Sequence, residues 1–452
     1  MAVPRPFERR HRGQAARLDY ESRPTSAARL RHQAARTPRY LPPPPPELPC
    51  MRVLVADKLA PFVSGRLQDL GCLVTVDPSA KEAALTAKIA ELDPEVLIVR
   101  STKVTAADIA AGQALSLVIR AGAGVNTIDL AAASKRGVYI TNCPGKNAVA
   151  VAELAIGHLI NADRRISDNV AALRAGKWDK KTFGVARGLR GRTLAIIGAG
   201  QIGREVIVRA VAMGMKIVAW GRTFSDADAA ALGVVDAPTI EAAVAQADAV
   251  SVHLALVKEL RGRIGESVFA AMKPGAYFIN TARAELVDSE ALLRAVREKK
   301  LRVGTDVFPD EPSAAQAEYH HALVNEPNVY GTHHIGASTD EAEEAVGEEC
   351  VRIVAAYKAG APIPNCVNLA TRTPATHLLV VRHADRIGVL AHVLGILREA
   401  GVNVEDMQNI IFSGGDAACA RIATKGAVSP EALSRIQTDP HIFAASCVAI
   451  SE

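Results

Sequence analysis

Three polar side chains stand where apolar runs end: Arg283 in NTARAELVD after AYFIN, Glu311 in TDVFPDEP after LRVG, and His334 in YGTHHIGAST after Val329 and Tyr330. A guanidinium is a planar fork that grips a carboxylate and polarises a neighbouring oxygen. An imidazole carries a proton near neutral pH. A carboxylate on the other ring nitrogen orients such a carrier and favours its charged form. Together these types suit the interconversion of a 2-hydroxy acid and a 2-oxo acid, which also needs a hydride carrier. Each residue alone reads as a solvated group at a strand end, so the argument rests on the set of three.

LAIIGAGQIGREV supplies a place for that carrier. Gly198, Gly200 and Gly203 lie between an apolar strand and a helix, the context in which GxGxxG binds a dinucleotide. The first glycine permits the tight turn, the second lets backbone approach a pyrophosphate, and the third lets helix and strand pack closely. The phosphates would sit at the N-terminus of the helix that starts near Gln201. Gln201 and Ile202, with Thr281 and Asp306 at the ends of later strands, are assigned to the same cofactor site. The acidic residue that would hold the ribose hydroxyls is missing: after MKIVAW stand Gly221 and Arg222. An arginine can pair with a 2′-phosphate that a carboxylate would repel. NADP is therefore left open beside NAD. His333–His334 and His320–His321 invite a metal reading, but neighbours on an extended chain point opposite ways, and no metal is expected.

These loops require parallel strands behind them. From Met51 onward, MRVLVADKL, VLIVR (Val96–Arg100), SLVIRAG (Ser116–Gly122) and VYIT (Val138–Thr141) read as buried strands. VAVAELAIGHLI (Val149–Ile160) is apolar nearly all round and reads as a buried helix. TLAIIG, KIVAW, AVSVHL, AYFINT and LRVGTDVF then alternate with helical segments, which predicts doubly wound parallel sheets. A helix over about Thr339 to Tyr357 precedes AGAPIPNCVN (Ala359–Asn368), which reads as a linker. Residues from His377 to Ile450 follow the order strand–helix–strand–strand–helix–strand, a small ferredoxin-like unit.

With these motifs in place, the chain resembles the D-2-hydroxyacid dehydrogenase family from Met51 to its end, and within it the D-3-phosphoglycerate dehydrogenases. The likeness is carried by VRSTKVT, RAGAGVNTIDLAAASKRG, NCPGKNAVAVAELAIG, the Gly198 turn, NTARAELVD, DVFPDEP and HIGAST. The resemblance implies that NAD is the default cofactor, that Arg283 binds the substrate carboxylate and carbonyl, that His334 is the general acid/base, and that Glu311 is its partner. It implies backbone anchoring of the carboxylate by Ala123, Gly124 and Val125. Arg100, Ser101, Lys103, Arg120 and Asn147 then fall near the substrate, whose distal group in this branch is the phosphate of 3-phosphoglycerate. Two α/β domains are implied: a discontinuous substrate-binding domain of residues 51–148 and 335–368, and a Rossmann-like nucleotide domain of residues 149–334. The active site falls in the cleft between them. His333 stands where the family has proline and Ala284 where it has glycine; neither change removes a chemical group.

Residues 375–452 resemble an ACT domain, an amino-acid-sensing unit. His383 and Asn403 match positions that hold L-serine across paired domains. Asp385 replaces an asparagine and Ile387 a proline, and an ionised aspartate cannot donate to the effector and repels its carboxylate. Serine sensing and a purely structural pairing role both stay open.

Composition limits the remaining possibilities. The 452 residues suggest about three domains, and no run reaches the ~20 apolar residues of a membrane span. Residues 1–50 hold ten Arg, no Lys and four acidic residues, leaving the rest with 43 basic and 44 acidic residues, so no nucleic-acid surface is expected. Seven cysteines without a CxxC spacing argue for a reducing compartment, here the cytoplasm. The Arg- and Pro-rich start, ending in Pro42–Pro46, reads as a disordered extension. It is either sequence ahead of a true start at Met51 or an organelle transit segment. Rival functions are a glyoxylate or hydroxypyruvate reductase of the same family and a non-catalytic dinucleotide sensor. A homo-oligomer is expected, with a tetramer as the specific expectation.

Overall fold

The computed structural model describes residues 50–450 except 223 and 313–315. The expected N-terminal extension lies outside the described residues. Among the described residues no helix is long and apolar enough to cross a membrane.

The first sheet comprises β1 (Met51–Val55), β2 (Cys72–Val76), β3 (Val96–Val99), β4 (Leu117–Arg120) and β5 (Tyr139–Asn142). Its order is β2-β1-β3-β4-β5, all parallel. VLIV of β3 is buried throughout, as a strand covered on both faces must be. The helix Asp340–Lys358 returns to cover this sheet, placing Val346, Cys350, Ile353 and Val354 in one apolar cluster with Val53, Val96 and Leu117. Its start is fixed by Thr339, whose hydroxyl accepts from the Ala342 N–H.

The second sheet holds β6 (Thr193–Ile197), β7 (Lys216–Trp220), β8 (Val235–Asp236), β9 (Ala249–Val252), β10 (Tyr277–Asn280), β11 (Arg302–Thr305) and β12 (Val329–Gly331). It too is wholly parallel, in the order β12-β11-β10-β9-β6-β7-β8. Strand order reverses between β6 and β9, the point where such sheets open a ligand crevice at their carboxyl ends. Two core clusters flank this sheet, one containing Val250, Phe278 and Val303, the other Ile196, Tyr277 and Ile279. The helix Ala148–Arg164 leads from the first sheet to the second.

Residues 359–368, expected as a linker, instead dock on the first sheet. The Val367 N–H donates to the Ile140 carbonyl, and the Asn368 amide donates to the Val138 carbonyl while accepting from the Ile140 N–H. The edge of β5 has free backbone groups, and this segment satisfies them. The last unit is the expected one: β13 (His377–Ala384), β14 (Asn403–Ile411), β15 (Ala417–Lys425) and β16 (Ile442–Ala449) form an antiparallel sheet ordered β14-β15-β13-β16. The helices Val389–Glu399 and Pro430–Ile436 pack against it.

Candidate active site

A cavity of about 930 Å³ lies over the switch point of the second sheet. Its floor is the glycine turn, and each glycine has a distinct reason to be one. Gly198 has φ +104, and a Cβ there would lie 2.7 Å from the His253 carbonyl oxygen at the end of β9. A Cβ on Gly203 would meet the Gly198 carbonyl at 2.2 Å, so helix and strand could not approach. At Gly200 a Cβ would meet nothing within 4 Å, because the backbone there borders open cavity. The helix Gln201–Ala212 starts behind Gly200 without a side-chain cap, which leaves its first N–H groups facing that space. The Thr281 hydroxyl lines the same cavity, buried and without a partner. Close backbone, free amides and an orphaned hydroxyl fit a dinucleotide.

Arg283 follows β10 on a turn held by Asn280. The Asn280 side-chain Oδ1 accepts from the Ala282 N–H at 3.0 Å, and its Nδ2 donates to the Arg283 backbone carbonyl at 3.1 Å. The guanidinium reaches across to the loop that follows β4 of the first sheet, where a Cβ on Gly124 would come within 2.8 Å of it. His334 Nδ1 and Glu311 Oε2 are 2.6 Å apart, and Glu311 Oε1 accepts from the Phe308 N–H at 2.8 Å. Burial pushes the Glu311 carboxyl up, but the His334 contact and the Phe308 amide outweigh it and hold the group below its ordinary value. An ionised Glu311 accepts from Nδ1–H, so neutral His334 presents Nε2 as the proton acceptor.

His334 has φ +52, a left-handed conformation costly for a side chain of its kind. Asp306 stabilises it. Its backbone carbonyl accepts from the His334 N–H at 2.9 Å, and its carboxylate accepts from the Thr332 hydroxyl and from the Ile335 and Gly336 N–H groups at 2.6, 2.9 and 2.8 Å. His158 Nε2 contacts the Thr332 hydroxyl at 3.0 Å, and burial lowers its pKa.

Comparisons with known proteins bear on this arrangement. The model of the D-isomer specific 2-hydroxyacid dehydrogenase NAD binding domain matches residues 156–336. Hydroxypyruvate reductase of Thermotoga maritima is 39% identical over 302 residues, covering 66% of this chain and 96% of that protein. The chain belongs to the D-2-hydroxyacid dehydrogenase family. D-3-phosphoglycerate dehydrogenase of Rattus norvegicus is 39% identical over 327 residues, 72% of this chain and 60% of that protein. The chain thus spans about 60% of the length of the phosphoglycerate dehydrogenases heading these matches. The NAD⁺-bound 3-phosphoglycerate dehydrogenase structure from Entamoeba histolytica superposes with a TM-score of 0.60 at 27% identity, covering 71% of this chain and 99% of that one.

Of the family positions read from sequence, Gly198, Gly200, Gln201, Ile202, Arg222, Thr281, Arg283, Asp306 and His334 line the cavity, with Arg120, Ala123, Gly124, Val125 and Asn147 opposite them. Gly203 lies behind the turn. Arg120 packs against Gly122 with its Nε buried and unpartnered. Burial, then the nearby charges of Arg283 and Arg100, pull its pKa down to about 10. Such a cluster of cations suits an anionic ligand. Ser101 and Lys103 are exposed and outside the lining. Asp57, at the end of β1, accepts from the N–H groups of Arg100, Ser101 and Thr102 and from the Ser101 hydroxyl, so that loop turns toward Asp57.

His383, Asp385 and Asn403 lie on the last unit and do not converge. Register places His383 opposite Ala418, which faces Ile411, whereas Asn403 faces Lys425 at the far end of the sheet. His383 contacts Asn409 at 3.2 Å, and Asn403 donates to Glu405. Sequence reasoning missed Asn280, Thr332 and His158. The first had a readable signal, an asparagine ending a strand ahead of a turn; the other two had none, since their pairing spans 174 residues.

Proposed function

We propose that the protein is a D-3-phosphoglycerate dehydrogenase, oxidising 3-phosphoglycerate to 3-phosphohydroxypyruvate. The observation that carries this reading is His334, tied to Glu311 behind it, set in one cavity wall with Arg283 and facing Arg120 from the first sheet. Arg283 holds the carboxylate and polarises the reacting oxygen. His334 Nε2 takes the hydroxyl proton as the C–H bond breaks, and ionised Glu311 stabilises the imidazolium that forms. Bound NAD supplies the hydride acceptor. NADP serves as an alternative, supported by Arg222 beside Gly221 at the cavity rim.

The domain boundaries expected from sequence, an ACT identity for residues 375–452, and a cytoplasmic homotetramer belong to the same proposal. Because His383 and Asn403 sit at opposite ends of one sheet, any L-serine site would be shared between two copies. A second reading, a hydroxypyruvate or glyoxylate reductase, draws support from the Thermotoga maritima relative and from the tie between Arg100 and Glu343.

Steady-state assays with 3-phosphoglycerate, hydroxypyruvate and glyoxylate, each with both cofactors, test the proposal. Turnover of 3-phosphoglycerate that falls at least a thousandfold in His334→Asn is expected. Reduction of hydroxypyruvate and glyoxylate without any 3-phosphoglycerate turnover would replace this reading with the second.

A further inference from the structure

Beside the main cavity lies a small pocket of about 60 Å³, which shares Arg120, Asn147 and Ala337 with it. Arg100 and Glu343 complete its charged lining. Arg120 Nε and Asn147 Oδ1 are buried there without partners, so the pocket has unused capacity for a polar group. Arg100, however, is engaged. Its Nη1 lies 2.8 Å from Glu343 Oε1, with the two side chains 28% and 39% exposed. Glu343 sits in the first turn of the helix Asp340–Lys358, where a carboxylate also favours the helix dipole.

Charge decides what this pocket accepts. Two guanidiniums alone would match a phosphate dianion. Glu343 cancels one of them and adds a like charge beside any phosphate that enters. A hydroxyl, which both donates and accepts, meets no such penalty.

We propose that Glu343 is a specificity-determining residue: by holding Arg100 and placing a carboxylate in the distal pocket, it reduces the preference for a phosphorylated over an unphosphorylated 2-hydroxy acid. This rests on the reading that the main cavity takes the acid end of such a substrate against Arg283. It names the substrate class as 2-hydroxy acids with a short polar distal group, phosphorylated or free.

Calorimetric binding of 3-phosphoglycerate and of D-glycerate to the full chain, with NADH present, tests this without relying on turnover. Removing one like charge at a partly exposed site is expected to raise the affinity ratio, phosphorylated over unphosphorylated, about tenfold in Glu343→Gln. Glu343→Asp keeps the charge and stays within about threefold of the unaltered protein. A ratio within twofold in Glu343→Gln overturns the proposal, even if the melting temperature shifts, because that would be the helix role alone. Absence of binding by both acids to all three proteins overturns it as well. If both acids bind but neither turns over, the catalytic reading fails while this proposal is still decided by the ratio.

Discussion

Replacing Asp306 by Asn separates two roles that the sequence could not distinguish, contact with the cofactor and support of His334. The aspartate is 1% exposed, and its carboxylate faces three donors: the Thr332 hydroxyl and the Ile335 and Gly336 N–H groups. An amide has one acceptor oxygen, so its NH₂ must oppose at least one of these donors. A hydrogen bond to a charged group contributes about 1.5–3 kcal/mol, while a left-handed residue such as His334 costs about 1–2 kcal/mol. The loss is as large as the strain being held, so His334 would leave its position for much of the time. A deficit of about 1.4–2.7 kcal/mol in transition-state stabilisation corresponds to a 10- to 100-fold fall in kcat/KM. The fall is expected in kcat, with KM for NAD within about threefold, because the carboxylate's acceptors are occupied by protein donors. Steady-state kinetics on the folded variant read this directly. A tenfold rise in KM for NAD with kcat preserved would refute the positioning argument and return Asp306 to the cofactor.

Gly203→Ala and Gly200→Ala should behave oppositely in the free protein. The first must move backbone, since its Cβ would lie 2.2 Å from a carbonyl oxygen, and is expected to lower stability by about 1–3 kcal/mol. The second meets nothing within 4 Å, so its melting temperature should hold while calorimetry shows NADH binding at least tenfold weaker. Glu311 has a folded pKa below its ordinary 4.5, so its contribution is present above that value and is lost as pH falls through the folded pKa. The melting-temperature advantage over Glu311→Gln should therefore be flat near neutrality and vanish in acid; an advantage that grows in acid would contradict the assignment. Arg120 is lowered instead, so its charge costs stability at every pH below about 10. Arg120→Met should keep or raise the melting temperature of the free protein while substrate KM rises at least tenfold, and a fall of more than about 4 °C would contradict this.

How much could be read in advance depended on how far along the chain each cause lay. Strands such as VLIV and YFIN are legible because a doubly covered parallel strand must be apolar throughout, and the glycine turn because its three positions answer to three local constraints. CLVTV of β2 is not legible in this way: it pairs only with β1 at a sheet edge, and Leu73 and Val76 stay exposed. The docking of residues 359–368 depends on Asn368 finding Val138, 230 positions away, which local pattern cannot disclose. The same applies to the site. Arg283, Glu311 and His334 could be picked by type and strand-end position, and Asn280 had its own signal at the end of a strand, but the support of His334 by Asp306 emerges only from hydrogen bonds.

The cavity walls also show why charge rather than shape sets the problem for this fold. Arg283 and Arg100 both bear on buried Arg120, and two carboxylates stand against this cluster at opposite ends, Glu343 at Arg100 and Glu311 beyond Arg283. Glu311 is committed to His334 at 2.6 Å and cannot also neutralise the centre. The middle of the cleft, around Arg120 and Arg283, is therefore left positive, and an acid is the ligand that removes the repulsion there. Gly124 brings the two lobes close enough at Arg283 for one small acid to touch both. Binding energy gained by relieving that repulsion is available for aligning the hydroxyl with His334, so the same arginine cluster that is unfavourable in the free protein becomes favourable once substrate is bound.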